Sequence, residues 1–409
     1  GADAFNVAVG NSAGKLMTSG IQNTIIGSLA GDALTTGSNN VAIGYNALST
    51  EDAHGRNVAI GYAALNTLNA GQDAYNVAIG FSAGTNVSTG VHNTLIGGLA
   101  GDSLTTAIQN TAVGYAALST NIDGDNNTAL GFKALEDFEA DTDGHGNNTA
   151  VGASAMMNAS TGTENTALGN LAMAGGVTTG NSNVALGHGT GYNISSGQDN
   201  TLVGTGTGDS ITSGARNTAV GFAALATENA HGNNTAIGYA ALNTLDADAE
   251  GYNVAIGSNS GKLMTSGVNN SLLGYNSGTA ITTGANNVAL GQGALGANTT
   301  ASDNVAIGVS ALGANVLGAS SIAIGLQSLA QQVPSGATVM HNVGVGQKTG
   351  FAVTTGVQNT LIGGLAGDAL TTGDNNIIIG YAAAASAVGV DNTTVIGTTA
   401  TTNAKVHGL

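Results

Sequence analysis

Asn40-Val41-Ala42-Ile43-Gly44-Tyr45-Asn46-Ala47-Leu48, eight loop residues from Ser49 to Arg56, and then Asn57-Val58-Ala59-Ile60-Gly61: this is one unit of the chain and the opening of the next. The signature Asn-(Thr/Val)-(apolar)-(Ile/Leu/Val)-Gly returns along nearly the whole sequence, with its glycine at 23 places from Gly10 to Gly397. Of the 22 intervals between those glycines, 17 are 17 residues long and the others are 18, 19 or 21. A unit so short and so rich in glycine has no room for a helix of about ten residues and its return, so each unit reads as one rung of a solenoid. Within it, Val41-Ala42-Ile43 suits a short β-branched strand, Gly44 a bend that a Cβ would resist, and Tyr45 to Leu48 a second extended piece. A glycine two or three residues before the next Asn (Gly37, Gly55, Gly90, Gly180, Gly214, Gly284, Gly373) suits a turn with positive φ. The expected fold is all-β, a parallel β-solenoid of about 23 coils forming a single continuous repeat domain over residues 1–409.

Composition agrees with many thin layers. The chain has 66 Gly, one Pro, no Trp, no Cys and only 15 Phe or Tyr, so its apolar content is mostly Ala, Val, Ile and Leu. No linker or shift of composition divides it. The formal charge is -17 with seven Lys and Arg scattered among 409 residues. Phosphate recognition needs clustered cations, which argues against nucleic acid or anionic lipid as partners of this segment. No apolar run approaches the length of a membrane-spanning helix, and the first residues lack the shape of a signal peptide, so no membrane insertion by this segment is expected. The chain reads as a fragment or processed part of a longer protein.

Stacking accounts for the asparagines, whose amides can bond from rung to rung as in other cross-strand ladders. Two rungs depart: Ser321 stands for Asn, and the last reads Asn392-Thr393-Thr394-Val395-Ile396-Gly397. In a strand neighbouring side chains face opposite ways, so Val41 and Ile43 share one face and Ala42 takes the other. Both faces are apolar, and the middle position is larger at Ile25, Leu95, Leu202, Leu272 and Leu361, a set to which Ile377 is also assigned. A lone solenoid needs only its inner face apolar. The second face predicts burial against something else, most economically copies of the same chain.

Segments such as Asn57-Val58-Ala59-Ile60-Gly61-Tyr62-Ala63-Ala64, Asn234-Thr235-Ala236-Ile237-Gly238-Tyr239-Ala240-Ala241 and Asn304-Val305-Ala306-Ile307-Gly308-Val309-Ser310-Ala311 resemble the head repeats of trimeric autotransporter adhesins and similar repeats of phage tail-fibre shafts. The rung here is longer than in the autotransporter heads, and no stalk heptads or membrane anchor follow. The resemblance implies a β-roll, three chains side by side in a parallel homotrimeric fibre, an extracellular place on a cell or virion surface, and attachment to a host-surface glycan or protein receptor. Rigid spacing and multivalent loop display are the expected contributions of such a shaft.

Long rungs follow Gly61, Gly131, Gly238 and Gly325, where extra residues must bulge from one side. Acid collects there. Glu136, Asp137, Glu139, Asp141 and Asp143 lie in one bulge and Asp246, Asp248 and Glu250 in a related one, an arrangement of carboxylates that Ca²⁺ could use. Asp141-Thr142-Asp143-Gly144 resembles the start of a calcium loop, but its twelfth position is Gly152 where a bidentate Glu is needed, so a solvated acidic loop competes with a metal site. His54 and His231 each follow an Ala near Glu51 or Glu228, and His145 sits in a comparable loop; lacking a His-x-His or Cys partner, they read as loop residues in water. Nine aromatics directly follow the signature glycine, among them Tyr45, Tyr62, Phe81, Tyr115, Phe132, Phe222 and Tyr239, and those on adjacent rungs should stack about 4.8 Å apart.

No catalytic motif emerges: there is no Cys nucleophile, no nucleophile elbow, no Walker loop and no zinc spacing, and neither catalytic nor cofactor-binding residues are assigned. The expected class is non-enzymatic. Two other readings compete with the attachment fibre. A filament subunit polymerising end to end would use the bare sheet edge of an uncapped stack. An ice-binding solenoid would use threonine ladders, for which Thr18-Ser19, Thr35-Thr36, Thr105-Thr106, Thr282-Thr283 and Thr371-Thr372 are the candidates.

Overall fold

A computed structural model describes residues 4–139, 146–247 and 249–398. The chain is an all-β, parallel β-solenoid of about 23 turns with a period of about 17 residues. It divides into two compact units, one ending at Ser213 and the other beginning at Gly214. In the first, three-residue strands run from Val7–Val9 to Thr201–Val203. Each pairs in parallel and in register with the next, Val41 opposite Val58, Ala42 opposite Ala59 and Ile43 opposite Ile60. In the second, strands run from Thr218–Val220 to Thr394–Ile396 with the same register. A small extra parallel pair, Gly318–Ala319 with Thr338–Val339, organises the bulge that follows Gly325.

The middle residue of each strand points inward, and the core is built on it. Ala42, Ala59, Ala78 and Leu95 are wholly buried, while Val41 and Ile43 on the other face are part-exposed. This places the larger middle residues inside and gives the first and third positions the outward face. Ile377 opens its strand, and the buried middle residue there is Ile378. In many layers size is balanced between two positions. Where the middle residue is Ile25, Leu95, Leu202, Leu272 or Leu361, the position four after the signature glycine is Gly31, Gly101, Gly208, Gly278 or Gly367. Where it is Ala42, Ala59, Ala112, Ala129 or Ala219, that position carries the buried Leu48, Leu65, Leu118, Leu135 or Leu225. A Cβ on Gly101 would come 2.8 Å from the side chains of both Leu95 and Leu104, so the swap is dictated by volume.

The segment after the signature glycine is not a second extended piece. Tyr45 to Leu48 form a run of turns in which Asn46 and Leu48 have φ of 54° and 50°. Alternating left-handed residues aim successive N–H groups in opposite directions along the stack. The N–H of Asn46 donates back to the Ser28 carbonyl at 3.2 Å, and that of Leu48 donates forward to Ala64 at 3.0 Å. A third left-handed residue precedes each Asn; Asn39, at φ 60°, donates back to Ile21 at 3.0 Å. Each such non-glycine conformation costs about 1 kcal/mol or more, which bonds between turns offset, so a turn is stable only on its neighbours.

The signature glycine is required twice over. Gly97 has φ +136°, and a Cβ there would collide with the carbonyl oxygen of Gly114 in the next turn. The loop glycines Gly37, Gly55, Gly90, Gly180, Gly214, Gly284 and Gly373 do not take positive φ. They are needed for closeness instead: a Cβ on Gly37, Gly90 or Gly284 would meet the carbonyl of His54, Ala107 or Ala301. Replacing Gly97 by Ala should therefore cost about 2–5 kcal/mol in urea unfolding, combining backbone strain and overpacking. Gly71→Ala, at φ +68° with nothing within 4 Å of its Cβ, should cost only about 1 kcal/mol. Equal losses at the two sites would remove the close-approach argument.

The asparagine ladder and the candidate site at the loop corner

The Asn column is buried and fully engaged. Asn76 Oδ1 accepts the backbone N–H of Asn93 at 2.8 Å, and its Nδ2 donates to the Gly90 carbonyl at 2.8 Å. Its main chain takes part as well, since Val58 donates to the Asn76 carbonyl at 2.9 Å. The expected amide ladder is thus present in a different form: the amide chiefly bonds the next turn's backbone, and direct amide contacts such as Asn376 to Asn359 at 2.9 Å supplement it. At the exceptional rung, buried Gln332 supplies the missing amide, accepting from Asn342 at 2.9 Å and donating to Ser321 Oγ at 3.1 Å. In the last rung Thr393 takes the Asn position and donates its N–H to Asn376, while Asn392 becomes the left-handed residue before it.

Seven residues after the signature glycine the chain turns a corner with its side chain inward. Leu68, Leu104 and Phe138 fill it in some turns, all wholly buried. Asn121 fills it in another, its Oδ1 accepting the N–H of Gly124 at 2.9 Å and its Nδ2 donating to the same residue's carbonyl at 2.8 Å. Glu51 and Glu228 occupy this corner, equally buried. Glu51 Oε1 accepts the N–H of His54 at 3.0 Å, copying the Asn121 closure, and its longer side chain lets Oε2 reach the N–H of Ala70, in the long bulge of the next turn, at 3.3 Å. The sequence reading treated His54 and His231 as loop groups in water. The structure instead sets their Nδ1 atoms beside buried carboxylates, at 3.5 Å from Glu51 and 4.0 Å from Glu228, with both Nδ1 atoms buried and lacking a hydrogen-bond partner. The signal was in the numbering, since 51 and 228 share the +7 register with Leu68 and Asn121.

The surroundings of the two corners differ, because Asn233 stands in the second where Arg56 stands in the first. Arg56 pairs with Asp73 at 2.8 Å, lies over the Tyr75 ring at 5.2 Å and bonds its hydroxyl. In the second unit Arg216 faces Glu250 at 3.9 Å, and Glu250 also accepts the Gly232 N–H at 3.1 Å.

Of the acidic-bulge candidates, the structure describes Glu136, Asp137, Glu139, Asp246 and Glu250. Glu136 pairs with Lys133 at 2.9 Å, and Asp137 and Glu139 flank the buried Phe138, which anchors that loop. Burial holds the carboxyls of Asp137 and Glu139 above their ordinary range, with Glu136 and Asp123 adding repulsion. Asp141, Asp143, His145 and Asp248 lie outside the described residues, and Asp246 stands near Glu228 rather than near Glu250's partners. Among the described residues, the one group with three metal-ligand atoms close together is Glu51, Asp52 and His54.

The ring column is stacked as expected, at 5.2–5.8 Å rather than 4.8 Å. Tyr45, Tyr62 and Phe81 form a three-ring pile that the sequence reading had taken only as a pair. Rings that cover one another's faces present their edges outward, which disfavours them as flat platforms for sugars. The loop threonines are also engaged internally: Thr35 Oγ1 donates to the Asp52 carbonyl at 2.9 Å and Thr371 Oγ1 to Val388 at 2.9 Å.

No protein-family model matches the chain, and no curated protein matches it in sequence. Among the described residues, no helix is long and apolar enough to cross a membrane.

Burial raises the Glu228 carboxyl above its ordinary range, reinforced by Asp246 and opposed by the N–H groups of His231 and Ala247 and by the His231 ring. The folded chain therefore protonates this group more readily than the unfolded one, and its ionised form costs stability at neutral pH that is regained as pH falls through the raised pKa. Compared with Glu228→Gln, the wild type should gain thermal stability between about pH 7 and about pH 4. A difference that does not change with pH would contradict this.

Proposed function

We propose that the chain is a shaft segment of a non-enzymatic extracellular attachment fibre, in which parallel copies, three by the resemblance, pack side by side and loops project at regular levels. One observation carries this reading. The outward strand face has no charged residue at its first or third position in any of the 23 signature turns, and the third position is Ile, Leu or Val throughout. Those side chains are part-exposed in the single chain, with intermediate exposure at Ile43 and Ile60, 45 % at Leu130 and 46 % at Leu168. A chain with net charge -17 that keeps one face uncharged, with an aliphatic third position beside a Thr, Ser or β-branched apolar first position, has a surface suited to burial. The pitch supports a second copy as the occupant. An object that fills this face at every level must itself repeat at the spacing of stacked strands, and a second copy of the chain does so. Multivalent display from such a fibre would sum weak contacts into avid attachment.

Multi-angle light scattering should return three times the single-chain mass. The double substitution Leu130→Lys and Leu168→Lys, which faces away from the core, should lower that mass while leaving the β-sheet circular dichroism intact. A wild-type chain that remains monomeric at all concentrations would remove the reading's support.

A second reading keeps one favourable observation. Thr94, Thr111, Thr128, Thr149 and Thr166 open five consecutive strands in register on the outward face. Thermal hysteresis by a monomeric chain would favour ice binding over the fibre.

A further inference from the structure

We propose that Glu51, Asp52 and His54 form a binding site for a first-row divalent transition-metal ion of the Zn²⁺ type, with the His54 Nδ1 and two carboxylates as ligands. The three ligand atoms lie within 4.8 Å of one another. His54 Nδ1 and Glu51 Oε1 are 3.5 Å apart, close to the roughly 3.3 Å that separates two ligand atoms on a tetrahedral zinc with bonds of about 2.0 Å. A carboxylate oxygen faces a ring nitrogen across that gap, and the nitrogen is buried with no hydrogen-bond partner; when Nδ1 carries no proton, both atoms are electron-pair donors to a cation. Such a pair needs a cation or a proton between its members.

The loop holds the ligands before any ion arrives. Glu51 is fixed by the N–H groups of His54 and Ala70. The Asp52 carbonyl accepts from Thr35, the Ala53 carbonyl from Thr36 Oγ1 at 3.3 Å, and the His54 carbonyl from Asn40 Nδ2 at 3.3 Å. Gly55 donates its N–H to Asp73, whose other oxygen is engaged by Arg56. Asp52 is exposed, so its carboxylate can rotate onto the ion without disturbing the core. One nitrogen and two oxygens suit Zn²⁺ or its neighbours better than Ca²⁺, which takes six or more oxygens, and leave a fourth position for water. The second unit supplies an internal comparison. Glu228 and His231 repeat the buried acid and the imidazole, but Asn229 replaces Asp52 and the nitrogen-to-oxygen gap widens to 4.0 Å.

The test is calorimetric titration of the full chain with Zn²⁺ alone, in parallel with His54→Gln, Asp52→Asn and His231→Gln. The wild type and His231→Gln should bind one ion per chain with equal affinity. Asp52→Asn should weaken binding at least about tenfold, and His54→Gln should abolish the site. Thermal unfolding should rise by a few degrees with excess Zn²⁺ in the wild type and not in His54→Gln, whose circular dichroism checks that it folds. Binding that persists unchanged in His54→Gln, or a wild type that takes up no Zn²⁺, would assign the gap to a proton and overturn the proposal.

Discussion

Within each of the two units, turn after turn is held at the distance of a hydrogen bond from the next, and the rest of the structure follows from that closeness. At the strand spacing, a carbonyl of one turn lies where a Cβ of its neighbour would stand, so the signature position can only be glycine. The same closeness lets one asparagine serve both its own turn and the next, since its amide reaches a backbone N–H and a carbonyl of the following turn at once. Burying such an amide is tolerable because all its polar atoms are satisfied, and leaving one unmet would cost about 1–3 kcal/mol. Glycine sets the approach and asparagine fastens it. Neither role involves a ligand, which is why the most regular residues of the chain are its least informative ones about activity.

Within that frame the interior is filled by exchange between two positions. The mid-strand Ile25, Leu95, Leu202, Leu272 and Leu361 are matched by glycine four residues after the signature glycine, Ile378 by Ala384, and an alanine there is commonly matched by leucine. The leucine-bearing turns are also those whose corner, three residues further on, accepts polar side chains: Glu51, Asn121, Glu228, Asn298, Asn315 and Gln332. An asparagine at this corner closes its own loop. A glutamate closes it too, and its extra methylene brings the second oxygen to the long bulge of the following turn. The two buried acids thus arise from packing needs, and their chemistry comes from the histidine three residues later.

The outer face obeys a different rule. Its aliphatic third position does no work in the core of a single chain, and its rings stack on one another without being enclosed. A surface kept free of charge along so many levels is costly for a lone acidic chain to expose and useful for one that packs against a partner of equal pitch. The fibre reading rests on this contrast between an acidic molecule and its uncharged strand face.

The sequence by itself determined the period, the parallel strands and the two apolar faces, because a side chain's direction in a strand alternates and a 17-residue repeat can only stack. It also located the ring column from the position after each signature glycine. Only the tertiary structure decided which face is inside: Ala42 and Leu95 are both apolar, and nothing local tells inward from outward until the opposing Leu48 or Gly101 is seen across the layer. It likewise turned Tyr45 to Leu48 into alternating left-handed turns, since that conformation is unfavourable in isolation and is stabilised by bonds to the turns on either side. The Glu51 and His54 pairing was hidden for the same reason. Three residues apart in an apparent loop, they meet as a buried acid and an unpartnered nitrogen only because the corner is roofed by the turn that follows.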